Sequence, residues 1–280
     1  SLSDYISSGK GRIKSTSKNR IAVIYAQGEI KYGKGNENYI GQELIIKALK
    51  KARKASNVKA IVLRVNSPGG SALASDIIWR ELEITKEEKP LVVSMGNLAA
   101  SGGYYISCNA NKIIAEPTTI TGSIGVFGAV PNASELAGRM GINAEQIGTN
   151  KQSVGYSLFE PITDSFYKVT KEGVEQVYNT FVEKVAAGRN MSFAQVDSIA
   201  QGRVWTGEEA VKNGLVDELG SLDDAIAVAA KLAEVEDYKV RNYPSYKKDI
   251  KDMFKGPFAS VKSFVLKDEI GLENYRIYKK

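Results

Sequence analysis

The stretch Pro90-Leu91-Val92-Val93-Ser94-Met95-Gly96-Asn97-Leu98-Ala99-Ala100-Ser101-Gly102-Gly103-Tyr104-Tyr105 decides how the rest of the chain is read. Its first half has the length and β-branched content of a buried strand, and the residues after Ser101 open a helical pattern. Ser101 therefore falls at a strand-to-helix turn. There the first N–H groups of the helix lack an intrahelical acceptor and can stabilise an oxyanion. Ala99, Ala100, Gly102 and Gly103 flank it with small side chains, which lets a substrate backbone come close. Two readings of Ser101 fit the pattern: a nucleophile, or a helix N-cap, a position serine often fills.

The chain has no histidine. A Ser-His-Asp triad is therefore impossible within it, and Ala99 occupies the place of the first glycine of a Gly-x-Ser-x-Gly elbow. A nucleophilic Ser101 needs another base. Lysine is the usual substitute, because a desolvated ammonium can lose its proton near neutral pH.

With 280 residues, 43% hydrophobic and 25% charged, the composition is that of a globular protein with a sizeable core. Apolar runs are short; Ala60-Ile61-Val62-Leu63 stops at Arg64, far below the length of a membrane span. The start, Ser1-Leu2-Ser3-Asp4, lacks the apolar segment of a secretory signal. A first residue other than Met leads us to expect a processed or excised fragment, with any membrane anchor upstream. The single cysteine, Cys108, excludes an internal disulfide and a cysteine-built zinc site, and it is expected to pack as a small apolar side chain on the helix after Ser101. Residues 1–20 and 241–280 contribute +4 and +5 to a net charge of +6, leaving the middle near −3. A nucleic-acid surface would concentrate basic charge on the folded body instead, so no nucleic-acid partner is expected.

Apolar patterning divides the chain into a lead-in over 1–20, a folded module over 21–240 and a basic, aromatic extension over 241–280. Within the module, strands are predicted at 21–26, 60–65, 90–95, 112–115 and 142–147, and helices at 40–56, after Gly70, after Ser101, at 132–140 and at 163–187. Two or three shorter helices are expected up to Val235. Strands alternating with helices imply right-handed crossovers and a mainly parallel sheet, whose ligands bind at the carboxyl ends of the strands. Gly69-Gly70 and Ser101 both fall at such ends. The loop from Thr118 to Gly128 matches no phosphate-binding pattern, and no cofactor or metal is expected. The long helix carries Phe166, Val169, Val174, Val177, Tyr178, Phe181 and Val185 on an apolar face suited to core or subunit contact. In the extension, Phe254, Phe258, Val261, Phe264 and Val265 share one face among lysines. Core or subunit packing is the expected fate of that stripe, ahead of contact with a membrane surface.

Four blocks carry a family resemblance: Arg64-Val65-Asn66-Ser67-Pro68-Gly69-Gly70, Ala99-Ala100-Ser101-Gly102-Gly103-Tyr104-Tyr105, Thr121-Gly122-Ser123-Ile124-Gly125-Val126, and Gly202-Arg203-Val204-Trp205-Thr206-Gly207 followed by Asn213-Gly214-Leu215-Val216-Asp217. In order and spacing, over roughly residues 20–235, the chain resembles the signal peptide peptidase A (protease IV) family. The resemblance implies an α/β, ClpP/crotonase-like fold, with a mainly parallel sheet and flanking helices. It also implies a Ser-Lys serine peptidase that degrades hydrophobic signal peptide remnants on the periplasmic side of the bacterial inner membrane, as a homo-oligomer. Carried over by position, Ser101 is the nucleophile, the amides of Gly70 and Gly102 are the oxyanion donors, and Ser123 helps to orient the base lysine.

The family has a one-module short form and a two-module long form, in which the second module supplies the serine and the first the lysine. This chain is more similar to the second half of a long form, so an upstream module is expected to supply the lysine. Lys151, in Gly148-Thr149-Asn150-Lys151, stands where a short form keeps its base, and it is the candidate if the site is self-contained. A working base would need its pKa lowered from about 10.4 toward 7, and the polar neighbours Asn150, Gln152 and Ser153 do not form an obviously apolar pocket. The competing readings are a non-catalytic binding or assembly module of the same fold, and a crotonase-type acyl-CoA enzyme, since fold alone does not settle function.

Overall fold

A computed structural model describes residues 16–150 and 153–244. Lys151 and the stripe from Phe254 to Val265 lie outside the described residues. In chain order the first half forms β1 (Arg20–Gln27), β2 (Glu29–Lys31), β3 (Tyr39–Gly41), α1 (Gln42–Lys54), β4 (Val58–Ser67), α2 (Ala72–Glu88), β5 (Leu91–Ala100), α3 (Gly102–Tyr105), β6 (Lys112–Ala115) and β7 (Ile120–Gly122). The second half adds α4 (Ser134–Arg139), α5 (Asp164–Arg189), α6 (Phe193–Ile199), β8 (Val204–Thr206), α7 (Gly207–Lys212), β9 (Glu218–Leu219), α8 (Leu222–Leu232) and β10 (Lys239–Tyr243).

The main sheet runs β10-β1-β4-β5-β6-β9, with every neighbouring pair parallel. β7 joins the far end of β5 in parallel and pairs with β8 antiparallel. β1, β4 and β5 read as nearly unbroken apolar runs because both faces of the sheet are covered. On one face Ile21, Val23, Ala60, Val62 and Val92 pack against Ala225, Ile226 and Ala229 of α8. On the other, Ile24, Leu63 and Val93 share a core with α1, α2 and α5. Side chains of an amphipathic helix recur every three to four residues, and α1 buries Ile45, Ala48, Leu49 and Ala52 accordingly. Reciprocal capping boxes start α6, α7 and α8 at Ser192, Thr206 and Ser221.

Several local expectations need correction. Residues 142–147 form no strand; Ile142 and Ile147 are exposed, and no sheet strand offers them a pairing partner. The helix after Ser101 is only four residues long, and Cys108 lies beyond it in a turn, fully buried, its thiol donating to the Tyr105 carbonyl at 3.2 Å. The loop over 118–128 contains β7. The long-helix stripe is split. Phe181 and Val185 are buried, whereas Val169 nearer its start is exposed. No described helix is long and apolar enough to cross a membrane.

Candidate active site

β4 and β5 lie side by side, and their carboxyl ends deliver Pro68-Gly69-Gly70 and Ser101-Gly102 to one cleft of about 1020 Å³. Ser101 sits between the last residue of β5 and the first of α3, with φ 53° and ψ −120°. That conformation lies outside the regions open to residues with a Cβ and costs about 1–3 kcal/mol. Its N–H donates to the Gly122 carbonyl at 2.9 Å, which ties the turn to β7. The side chain caps nothing: no amide of α3 donates to its Oγ. The N-cap reading therefore fails on geometry, because an N-cap needs extended backbone and an N–H partner two or three residues on.

Two amides converge on the same place. Neither the Gly70 N–H nor the Gly102 N–H has a hydrogen-bond acceptor among the described residues. The two glycines also abut, since a Cβ on Gly102 would stand 3.3 Å from the Gly70 nitrogen. Gly70 has φ 143°, and a Cβ there would run into the Ile30 carbonyl oxygen. Glycine is needed at this turn because β2 presses against it: the Ile30 N–H donates to the Gly69 carbonyl at 2.7 Å, and the Ser71 N–H to the Ile30 carbonyl at 2.8 Å. A Cβ on Gly102 would come within 2.6 Å of Ser75 Oγ, which is held by the Ser71 carbonyl at 2.9 Å. Ser123, with φ 47°, lines the same cleft, and its N–H donates to the Arg203 carbonyl at 2.6 Å.

The cleft has an apolar side built from Tyr105, Val126, Phe127, Val177, Tyr178 and Phe181. The Tyr105 and Phe181 rings meet with centroids 4.7 Å apart. Both phenols are anchored behind the wall, Tyr105 donating to Asp76 Oδ1 at 2.7 Å and Tyr178 to Asp197 Oδ1 at 2.5 Å. Burial, reinforced by the bond to Asp76, pushes the Tyr105 phenol well above its ordinary range; burial and then Asp197 push Tyr178 up to about 12. Neither is ionised at neutral pH, so neither supplies a base. Burial likewise pushes the Cys108 thiol up to about 12, which leaves it inert as a nucleophile.

No lysine lines the cleft among the described residues. Lys184 is committed elsewhere, its Nζ 2.9 Å from Asp76 Oδ1 and 3.2 Å from the centre of the Trp79 ring. The sequence pattern located Ser101, Gly70, Gly102 and Ser123, and the fold brings all four to one cleft. It missed Tyr105, and it read Tyr178 and Phe181 only as an apolar stripe. A stripe at helical spacing carries no mark that distinguishes a cleft wall from core.

A serine on a strained strand-to-helix turn beside two unpaired glycine amides, at the carboxyl ends of parallel strands, is an arrangement that can hold a nucleophile against an oxyanion site. The model of the family described as "Peptidase family S49" matches residues 83–236, more than half of the chain. Protease 4 of Haemophilus influenzae is 43% identical over 229 residues, covering 79% of this chain and 37% of that protein. The chloroplastic serine protease SPPA of Arabidopsis thaliana is 38% identical over 223 residues, covering 78% and 33%. A chain of Methanocaldococcus jannaschii with a provisional protease name is 35% identical over 230 residues, covering 80% and 74%. This chain thus spans about a third of the length of the first two relatives. A ClpP1 mutant from Listeria monocytogenes superposes on 73% of this chain and 94% of its own, at 18% identity and a TM-score of 0.48. The chain belongs to peptidase family S49.

Proposed function

We propose that this chain supplies the nucleophile of an endopeptidase that degrades cleaved signal peptides. The observation that carries the reading is the placement of Ser101 on its strained turn beside the free amides of Gly70 and Gly102. Ser101 Oγ attacks the scissile carbonyl as its proton passes to a lysine amine, and the carbonyl oxygen, now an oxyanion, accepts hydrogen bonds from the two glycine N–H groups. Collapse breaks the C–N bond, and the leaving amine takes the proton back from the lysine. Water then hydrolyses the acyl-serine through the same base. Ser123, on the same cleft, orients that lysine.

An apolar substrate suits the apolar wall of Tyr105, Val126, Val177 and Phe181. On the family resemblance we assign the enzyme to the periplasmic face of the inner membrane. Exposed Phe127, Leu136, Met140 and Ile147 give the protein apolar surface suited to a homo-oligomer.

We assign the base to an upstream module and not to Lys151, because the chain is more similar to the second half of a long form, in which the first module supplies the lysine, and because the neighbours Asn150, Gln152 and Ser153 are polar. Two results are expected. The isolated 280-residue chain is inactive or nearly so toward apolar peptides. Lys151→Ala in the complete protein lowers kcat/KM by less than about tenfold, under about 1.4 kcal/mol. A loss of several orders of magnitude in that variant, or strong Ser101-dependent cleavage by the isolated chain, would make Lys151 the base and the site self-contained.

A further inference from the structure

β4 and β5 do not keep one register. They pair residue for residue from Ile61 with Leu91 to Val65 with Met95, and then Ser67 pairs with Ala99. A single residue of β4, Asn66, therefore faces three of β5: Gly96, Asn97 and Leu98. The extra residues fall where β5 changes neighbours, from β6 at Val92, Val93 and Ser94 to β7 at Leu98, Ala99 and Ala100. Such a bulge leaves backbone groups without ladder partners and re-aims the strand beyond it.

Asn66 fills the gap. Its Oδ1 accepts the Leu98 N–H at 3.2 Å, while its own backbone carbonyl takes the Gly28 N–H at 2.9 Å and stays in the ladder to β1. Gly96 makes room for the carboxamide; a Cβ there would stand 3.1 Å from Asn66 Cβ and 3.2 Å from Oδ1. On the other side of β5 two buried threonines hold the same segment, Thr119 Oγ1 donating to the Gly96 carbonyl at 2.7 Å and Thr121 Oγ1 to the Ala99 carbonyl at 2.8 Å. Asn66 lies four residues before Gly70 in one strand end, and the residue it grips lies three before Ser101 in the next.

We infer that Asn66 is a positioning residue: by accepting the Leu98 N–H it fixes the register between the Gly70 amide and Ser101. A strand advances about 3.3 Å per residue, so a slip of one residue would carry Ser101 a full residue away from the amide and turn its side chain to the other face. This inference rests on the nucleophile reading of Ser101.

The test measures kcat and KM per folded molecule in the complete protein, with folding followed by near-ultraviolet circular dichroism. Asn66→Leu, similar in size but without the acceptor, is expected to lower kcat at least 100-fold and to leave KM within threefold. Asn66→Asp, which keeps the acceptor oxygen, is expected to stay within tenfold of wild type. Gly96→Ala, which presses on the carboxamide, is expected to lose three- to tenfold in kcat, and it decides the matter if Asn66→Leu fails to fold. Wild-type kcat in Asn66→Leu, or in Gly96→Ala where that variant decides, overturns the inference. So does an equal loss in Asn66→Leu and Asn66→Asp, because the acceptor would then not matter. Ser101→Ala is run in parallel: if it keeps turnover, the nucleophile reading has failed. If it is inactive while Asn66→Leu is normal, only the role of Asn66 has failed.

Discussion

Ser101→Ala is expected to abolish peptide hydrolysis by the complete protein, by about 10⁴-fold or more, while leaving the fold intact. The two halves of this expectation have separate causes. Activity is lost because the neighbouring hydroxyl of Ser75 is buried and committed to the Ser71 carbonyl at 2.9 Å, and Cys108 is buried with its thiol pushed up to about 12. Stability is kept because Ser101 Oγ caps no amide of the helix that follows, so removing it orphans no donor. The backbone strain at φ 53° remains in the alanine variant but not in Ser101→Gly. The glycine variant is therefore expected to be equally inactive and about 1 kcal/mol more stable, measured as a shift in denaturation midpoint. A midpoint lowered by several kcal/mol in Ser101→Ala would show that the side chain has a structural part that this account denies it.

The second large effect is expected at Gly70. An alanine there meets two obstacles at once, a φ of 143° and the Ile30 carbonyl oxygen. Relief requires the turn to swing away from β2, breaking the bonds that join Ile30 to Gly69 and Ser71. The amide of residue 70 then leaves the place where an oxyanion forms. Loss of one such donor costs about 3–4 kcal/mol of transition-state stabilisation, or 10²–10³-fold in kcat. The strain adds about 1–3 kcal/mol of destabilisation. Gly102→Ala is expected to be milder in stability, since its Cβ meets the Ser75 hydroxyl, a side chain able to rotate, and not a backbone carbonyl. Comparing kcat of the two variants with their unfolding midpoints checks this order. A Gly70→Ala enzyme with normal kcat would remove Gly70 from the oxyanion site.

The site was legible where its chemistry is local in the chain. Ser101 follows a strand whose apolar run is continuous because both sheet faces are covered, and Gly69-Gly70 ends the adjacent strand in the same way. What could not be read depends on pairing between distant segments. β10 runs through Tyr243, with Ile24 of β1 opposite it, and its basic composition made its residues resemble the start of an extension. Residues 142–147 have strand-like apolar spacing, yet the edges of the sheet are taken by β9 and β10. The bulge at Gly96 is a register shift, visible only when both strands are seen together, so Asn66 passed as one letter of a motif. Tyr105 likewise gave no signal, since its place in the cleft wall depends on Asp76 from α2 and Phe181 from α5.

Reaction of the complete, folded protein with a fluorophosphonate, followed by mass spectrometric mapping, tests the central claim most directly. A fluorophosphonate phosphonylates only a serine that is activated and supported by oxyanion donors. One adduct is expected, on Ser101, formed in competition with an apolar peptide substrate and absent from Ser101→Ala. An adduct on a different serine, or none on an intact and folded assembly, would contradict the assignment of Ser101 as nucleophile and leave the chain a binding or assembly module built on a peptidase fold.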